Sequence, residues 1–350
     1  MKKILNSSLA IVIITMSLYG IFVAIVLFQN NFDFSHFILV GDKFTQAENL
    51  PEKIKIFKNS WGYDGQFYYR FALDPFTNIR TDYGIILDLP SLRQQRILYP
   101  FLVRVFSLGI NSFIPPAMVM INLLALGLLA WFAGKIMKIK KKNIYWGLLL
   151  PLYPGFLFTL SRDLTEILGI CLLSIGYFLF LKEKRILSGF IFSLAVLARE
   201  TTIIFALGFF IFFLFELFFK KRKVGFNDLV VFLLPLSTFL VWQGILIKIW
   251  SDVALGTSSF FNISFPFHGL IYNIMNGVLL NKQNIVELLF ISFIIFSSFY
   301  LIKSSKIHLV IKISWVLSFM IFTLLSKNIW VDQWTFMRAF SELYFFSILI

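Results

Sequence analysis

The chain has 350 residues, of which 59% are hydrophobic and 14% charged, whereas soluble domains carry about a quarter charged residues; its mean hydropathy is +0.83. That balance excludes an ordinary soluble domain. The formal net charge of +14 does not indicate nucleic acid, because the Lys and Arg residues sit in short clusters between apolar runs, as positive-inside membrane topology requires.

The apolar runs show no strand-like alternation, and many approach the roughly 20 residues that a helix needs to cross a bilayer. The expected fold is therefore an all-α, polytopic transmembrane helical bundle, one integral membrane domain over residues 1–350. Met1-Lys2-Lys3 precedes a run from Leu9 to Phe28, read as an uncleaved first helix because no small-x-small cleavage site follows it. Residues 29–113 then form a large outer loop. Asp33, Asp42, Glu48, Glu52, Asp64, Asp74, Asp82 and Asp88 place 8 of the chain's 18 acidic residues there, the mark of a folded extramembrane segment.

Within that loop, residues 96–110 are apolar but short and carry Pro100 and Arg104. Further spans are expected at Pro116–Gly134, Ile144–Leu160, Leu164–Leu181, Ile186–Ala198, Ile203–Phe219, Leu229–Trp250, Val286–Ile302, Leu309–Ser326 and from Ala339 onward. Basic clusters at Lys135–Lys142, Lys182–Arg185, Lys220–Lys223 and Lys303–Lys306 alternate with them, so each cluster is assigned to the cytoplasm. A cytoplasmic N-terminus and a cytoplasmic Lys135 cluster allow an even number of crossings between them. The 96–110 segment is therefore expected to lie in the outer interface rather than to span, which leaves about ten spans.

With this topology the remaining polar groups collect on one side. They are the Gly62–Arg70 stretch, Ser161-Arg162-Asp163-Leu164-Thr165-Glu166, Arg199-Glu200-Thr201, Asp252, and Asp332 to Arg338. Ionisable groups at helix ends in a membrane protein usually have partners or a function. Plainer readings stand beside that one. Asp163 and Glu166 fit an N-cap with a capping box, Arg199 and Glu200 fit a local ion pair with Thr201 as the next cap, and Asp64 between glycines fits a turn. Trp61, Tyr63, Phe67, Tyr68 and Tyr69 fit an interfacial aromatic belt. Pro151 and Pro154 are expected to bend or shorten the span before Arg162. Cys171 is alone, and His36, His268 and His308 are scattered, so neither a disulfide nor a zinc site is indicated.

Several of these motifs in combination resemble the GT-C superfamily of membrane glycosyltransferases. They are Tyr-Asp-Gly-Gln-Phe-Tyr-Tyr with Asp-Pro following (Tyr63 to Pro75), Arg-Ile-Leu-Tyr-Pro (Arg96 to Pro100), Pro-Gly-Phe before Ser-Arg-Asp-Leu-Thr-Glu (Ser161 to Glu166), and Ala-Arg-Glu-Thr (Ala198 to Thr201). The chain is most similar to bacterial proteins of cell-surface glycopolymer formation, and more distantly to polyprenyl-phosphate-sugar mannosyltransferases. The likeness covers about residues 1 to 220. It implies transfer of a sugar from a polyprenyl-phosphate-linked donor to a glycan, lipid or protein acceptor, at the outer face of the cell membrane.

The family's catalytic acid matches Asp64, with Asp74 as the second candidate. A carboxylate there would serve as general base in an inverting transfer, while Arg162 and Arg199, and more weakly Arg96 and Arg338, would hold the lipid phosphate. Asp163, Glu166 and Glu200 would orient these arginines or bind sugar hydroxyls, and Tyr68 and Arg70 are further substrate contacts. Gly62 and Gly65 would let the backbone approach the donor. The loop has no tight acidic pair of the metal-binding kind, so a divalent metal ion stays open as the one possible cofactor. The competing readings are a transporter or flippase of a lipid-linked saccharide and a non-catalytic subunit of a glycopolymer assembly complex. A transporter would gather its polar groups near the midplane in related repeats, and no repeat is visible in the sequence.

Overall fold

The computed structural model describes residues 7–221, 224–254 and 262–350. Met1-Lys2-Lys3 and Arg222-Lys223 of the expected basic clusters lie outside the described residues. The described chain is helical apart from two minimal strand pairs, β1 (Val40–Gly41) parallel to β2 (Ile56–Phe57) and β3 (Thr81–Asp82) antiparallel to β4 (Ile85–Ile86). Both belong to the polar region after the first helix.

Among the described residues, five helical segments are long and apolar enough to cross a bilayer: Ser8–Gln29, Asn111–Ile139, Glu200–Phe218, Phe226–Trp250 and Lys282–Leu301. The protein is a membrane protein. These segments contain α1 (Ser8–Gln29), α5 (Ile114–Ile139), α9 (Ile203–Phe218), α10 (Phe226–Trp250) and α12 (Lys282–Leu301). Three further apolar helices are shorter: α7 (Glu166–Leu181), α8 (Arg185–Ala198) and α13 (Leu309–Thr323). At 1.5 Å per residue α7 rises about 24 Å, less than a hydrocarbon layer of about 30 Å. α8 packs between α7 and α10, and α5 packs against both α1 and α7. α12 exposes Leu289, Phe293 and Phe296, the surface of a helix whose solvent is lipid.

The run expected as a span over Ile144–Leu160 is not one helix. Residues Ile144–Leu149 form a 3₁₀ segment, and α6 covers only Gly155–Leu160. Pro151 and Pro154 are the cause: each lacks an N–H, and Pro154 drives Tyr153 away from helical backbone angles. The break carries Tyr153 into the core, where its ring lies 4.3 Å from that of Tyr344 and its hydroxyl donates to the Met337 carbonyl at 2.5 Å. Met337 belongs to α14 (Gln333–Ala339), a short helix just before α15 (Ser341–Leu349).

In the polar region, α2 (Asp64–Leu73) buries every residue from Gly65 to Leu73 and packs on α4 and α5. α3 (Pro90–Gln94) precedes α4 (Leu98–Phe106), the helix formed by the short apolar segment. α4 buries Tyr99 and Val103 while exposing Phe101, Val105 and Phe106, so one face packs on the protein and an apolar face is left outward. α11 (His268–Met275) lies near the C-terminal end of α13.

Tyr153 anchors α14 through a single buried hydroxyl. Tyr153→Phe leaves the Met337 carbonyl without that donor and is expected to cost about 1–3 kcal/mol, read as a lower melting temperature of the detergent-solubilised protein.

Candidate functional site

Asp64 is the first residue of α2, and its position is set by a tightly held turn. Gly62 has φ +66°, and a Cβ there would lie 2.5 Å from the Gly41 nitrogen and 2.7 Å from the Leu39 carbonyl oxygen. The fully buried Gln66 closes the turn, since its Oε1 accepts from the Gly41 N–H at 3.1 Å and its Nε2 donates to the Trp61 carbonyl at 2.8 Å. Gly65 faces the backbone of the turn between α6 and α7, and a Cβ on it would stand 2.3 Å from the Arg162 carbonyl oxygen. Close approach is thus what both glycines provide, but to other parts of this chain rather than to a donor. The contact seats the Asp64 motif directly on the Ser161–Glu166 motif.

Asp64 is shared by two guanidiniums. Arg93 Nη1 lies 2.8 Å from Oδ1, and Arg338 Nη2 donates to Oδ2 at 3.0 Å. Arg93 also makes a two-pronged pair with Asp88, at 3.0 and 2.6 Å, and its guanidinium lies 4.8 Å from the Phe67 ring centroid. Arg338 donates through Nε to Glu166 at 2.9 Å. Glu166 accepts from Arg199 as well, and Arg199 pairs in turn with Glu342 through Nε. The Thr201 hydroxyl donates to Glu342, and Arg199 Nη2 donates to the Arg338 carbonyl at 3.1 Å. Beside this chain of pairs, Arg96 binds Glu200 through two nitrogens at 2.7 and 2.6 Å and donates to the Tyr68 hydroxyl at 2.8 Å.

The polar region after α1, the α6–α7 turn, the α8–α9 turn and α14 therefore meet at one set of charges. Asp64, Arg96, Tyr68, Glu166, Arg199, Glu200 and Arg338, each singled out from the sequence, come together there. Burial raises the Asp64 carboxyl pKa, but Arg93, Arg338 and Arg96 outweigh it and hold the group far below the usual carboxylate range. The same carboxylates hold the Arg338 guanidinium above its ordinary value against the opposing effect of burial.

Arg162 differs from its neighbours. Its guanidinium carbon lies 3.7 Å from the Trp334 ring centroid and 5.3 Å from that of Tyr63, and its Nη1 donates to the Ser161 hydroxyl at 2.7 Å. Among the described residues it has no carboxylate partner, and its buried Nε has no acceptor. Burial lowers its pKa. Arg338 lies 5.1 Å from the same Tyr63 ring, so the aromatic side chain contacts both cations.

Three of the expected residues do not join this set. Asp74 caps the opposite end of α2, about 15 Å along the axis for ten residues. Arg70 is fully buried and bonded to Thr77 and Asp82 at 3.2 and 3.3 Å. Asp163 is fully buried at φ +49°, with both carboxyl oxygens lacking a partner among the described residues, and burial alone pushes its pKa well up. It orients none of the arginines.

The plainer local readings also change. The residue before α7 is Thr165, without a side-chain cap, so Asp163 and Glu166 make no capping box; Glu166 is turned to the arginines instead. Arg199 and Glu200 pair with Glu342, Glu166 and Arg96 rather than with each other. Sequence reading missed Arg93, Asp88 and Glu342. Arg93 lies three residues before Arg96, a spacing that can share one helical face. Glu342 is a lone acid in an apolar run, the signal that most often marks a functional group in a membrane helix.

Among the described residues, no three of His, Cys, Asp and Glu gather to hold a metal ion. Comparison with family models, with curated proteins and with solved structures finds no match to this chain.

Glu166 is the most deeply buried acid of the set, its side chain 1% exposed. Glu166→Gln strips Arg199 and Arg338 of a shared counter-charge and is expected to cost about 3–5 kcal/mol, seen as a large fall in melting temperature. For Asp64 the sign of the pH effect follows from its depressed folded pKa. Its contribution is complete above the unfolded value of about 3.9 and fades as pH falls toward the lower folded value. The melting-temperature gap between wild type and Asp64→Asn should thus hold steady from neutrality to about pH 5 and narrow below about pH 4.

Proposed function

We propose that the protein is a membrane glycosyltransferase of the GT-C type that moves a sugar from a polyprenyl-phosphate donor to a glycan, lipid or protein acceptor. The observation that carries this reading is the meeting of Asp64, the one partly exposed carboxylate held by both Arg93 and Arg338, with Arg162, a guanidinium lacking a carboxylate of its own. A base and a phosphate-binding cation have to flank one reacting centre. The contact between Gly65 and the Arg162 backbone keeps these two groups on adjoining turns. The site lies on the outer face of the cell membrane in the topology set by the basic clusters, which counts about ten crossings, the shorter helices included.

In this reading the acceptor hydroxyl oxygen attacks the anomeric carbon from the side opposite the phosphate. The new glycosidic C–O bond forms as the bond from the anomeric carbon to the phosphate oxygen breaks, and its electron pair leaves with that oxygen. The hydroxyl proton passes to Asp64. The phosphodiester donor becomes a phosphomonoester, which carries more negative charge, so the leaving group needs cations rather than a proton donor. Arg162 and Arg338 are placed to supply them, through forks that match phosphate oxygens. Arg199 is closed off by Glu166 and Glu342; it acts by fixing Glu166 and the Arg338 backbone, not by touching the donor. Arg96 and Glu200 hold the Tyr68 hydroxyl at the edge of the site.

The test is reconstitution with polyprenyl-phosphate-linked sugars. Asp64→Asn should retain the fold and lower transfer by about 10²–10⁴-fold, and Arg162→Ala should weaken use of the donor. Transfer by Asp64→Asn at the wild-type rate would remove the base assignment.

A further inference from the structure

Arg93 and Arg338 each have a carboxylate of their own, and Asp64 is additional to both. Asp88 takes Nε and Nη2 of Arg93 at 3.0 and 2.6 Å, leaving Nη1 for Asp64. Glu166 takes Nε and Nη2 of Arg338 at 2.9 and 2.8 Å, and Asp64 adds one contact to the same Nη2. The Asp64 side chain is 19% exposed, against 1% for Glu166 and 5% for Glu342. Of the acids that bind Arg338, Asp64 is therefore the one that can leave without opening the buried pairs. On the adjoining turn Arg162 has no ion-paired carboxylate among the described residues and its Nε has no acceptor, and it shares the Tyr63 ring with Arg338.

We infer that Asp64 stands in for an anionic ligand: a phosphate group entering between Arg162, Arg338 and Arg93 takes over the two guanidinium contacts of Asp64 and sets that carboxylate free. This rests on the glycosyl-transfer reading for the lipid-linked form of the phosphate, while the exchange itself requires only phosphate chemistry. A phosphate presents acceptor oxygens to several guanidiniums at once, and the monoester left after transfer also carries more charge than a carboxylate, so either form competes for these nitrogens. The consequence is a base that is masked in the empty site and exposed when the site is filled. Held between two guanidiniums, Asp64 is a poor proton acceptor, since an effective base has a pKa near the working pH. Released from them, it regains the basicity of an ordinary carboxylate.

The exchange predicts that removing the Asp64 charge strengthens phosphate binding. Farnesyl phosphate should bind the full-length, detergent-solubilised Asp64→Asn protein about tenfold or more tighter than wild type by calorimetry, the scale of one charge-assisted contact no longer contested. Asp64→Ser should show the same gain. Glu48→Gln, which removes an exposed acid elsewhere in the same loop, should leave the affinity within about twofold. Equal or weaker binding by both Asp64 variants would overturn the inference, because a carboxylate that holds the ligand directly gives that result. Inorganic phosphate run in parallel separates the headgroup from the chain, and a gain with either probe supports the exchange. A difference infrared spectrum of the wild-type protein gives a reading that needs no variant: farnesyl phosphate should shift a carboxylate stretch, and an unchanged carboxylate region overturns the idea. Neither measurement uses sugar transfer. A binding gain in a protein that transfers no sugar keeps the exchange and removes the enzymatic reading, while transfer without the gain does the reverse.

Discussion

The structure depends on the Glu166 carboxylate, which is almost fully buried and binds Arg199 and Arg338 at once. A charge buried there without a partner would cost several kcal/mol, and the cost falls to a tolerable level only when geometry and further hydrogen bonds are good. That requirement explains why elements far apart in the chain converge. α7 brings Glu166, the turn after α8 brings Arg199, α14 brings Arg338, and α15 brings Glu342. None of these groups is satisfied within its own element. The pairing accordingly fixes these ends of the helices relative to one another more strictly than apolar packing does, since in lipid no hydrophobic force draws helices together.

The same requirement decides what could be read from the sequence. The helical class, the position of the polar region and the break at Pro151 and Pro154 are local properties, carried by apolar run length and by proline chemistry. The convergence of Asp64, Arg96, Glu166, Arg199 and Arg338 was legible for a different reason: ionisable residues are rare in this chain, so those at helix ends had few places to find partners. Pairing itself was not legible. Arg199 and Glu200 are adjacent in sequence, yet they point to separate partners, because the extended backbone at Arg199 (φ −156°, ψ 117°) leads into a 3₁₀ turn. Arg93 escaped notice because its three-residue spacing to Arg96 is a weak mark among the arginines of the polar region. Its role comes from α3, which Gln94 ties to the Pro75 and Thr77 carbonyls and to the Trp250 indole of α10.

Asp163 shows the other side of this logic. It neighbours the phosphate-binding candidate in sequence and carries the right functional group, yet it is fully enclosed with both oxygens unpartnered among the described residues. Burial favours its neutral form, whereas the carboxylates that pair with the arginines are held in their charged form. Proximity in sequence is a weak guide to function where burial decides protonation.

Charge conservation ties the arrangement to the proposed chemistry. Asp64, Asp88, Glu166, Glu200 and Glu342 are matched by Arg93, Arg96, Arg199 and Arg338, and the charge of Arg162 completes the balance without a pair. During transfer the phosphate gains one negative charge as the anomeric bond breaks. In the same step Asp64 loses one by accepting the acceptor proton. The total charge between the arginines is therefore constant along the reaction, and the fixed guanidiniums need not reorganise as charge moves from carboxylate to phosphate. Preorganised charges of this kind are most effective where water is excluded. In the proposed reaction a base and a leaving group that answer to the same fixed cations are coupled through them: the more guanidinium charge the phosphate takes up, the less that charge depresses the basicity of Asp64.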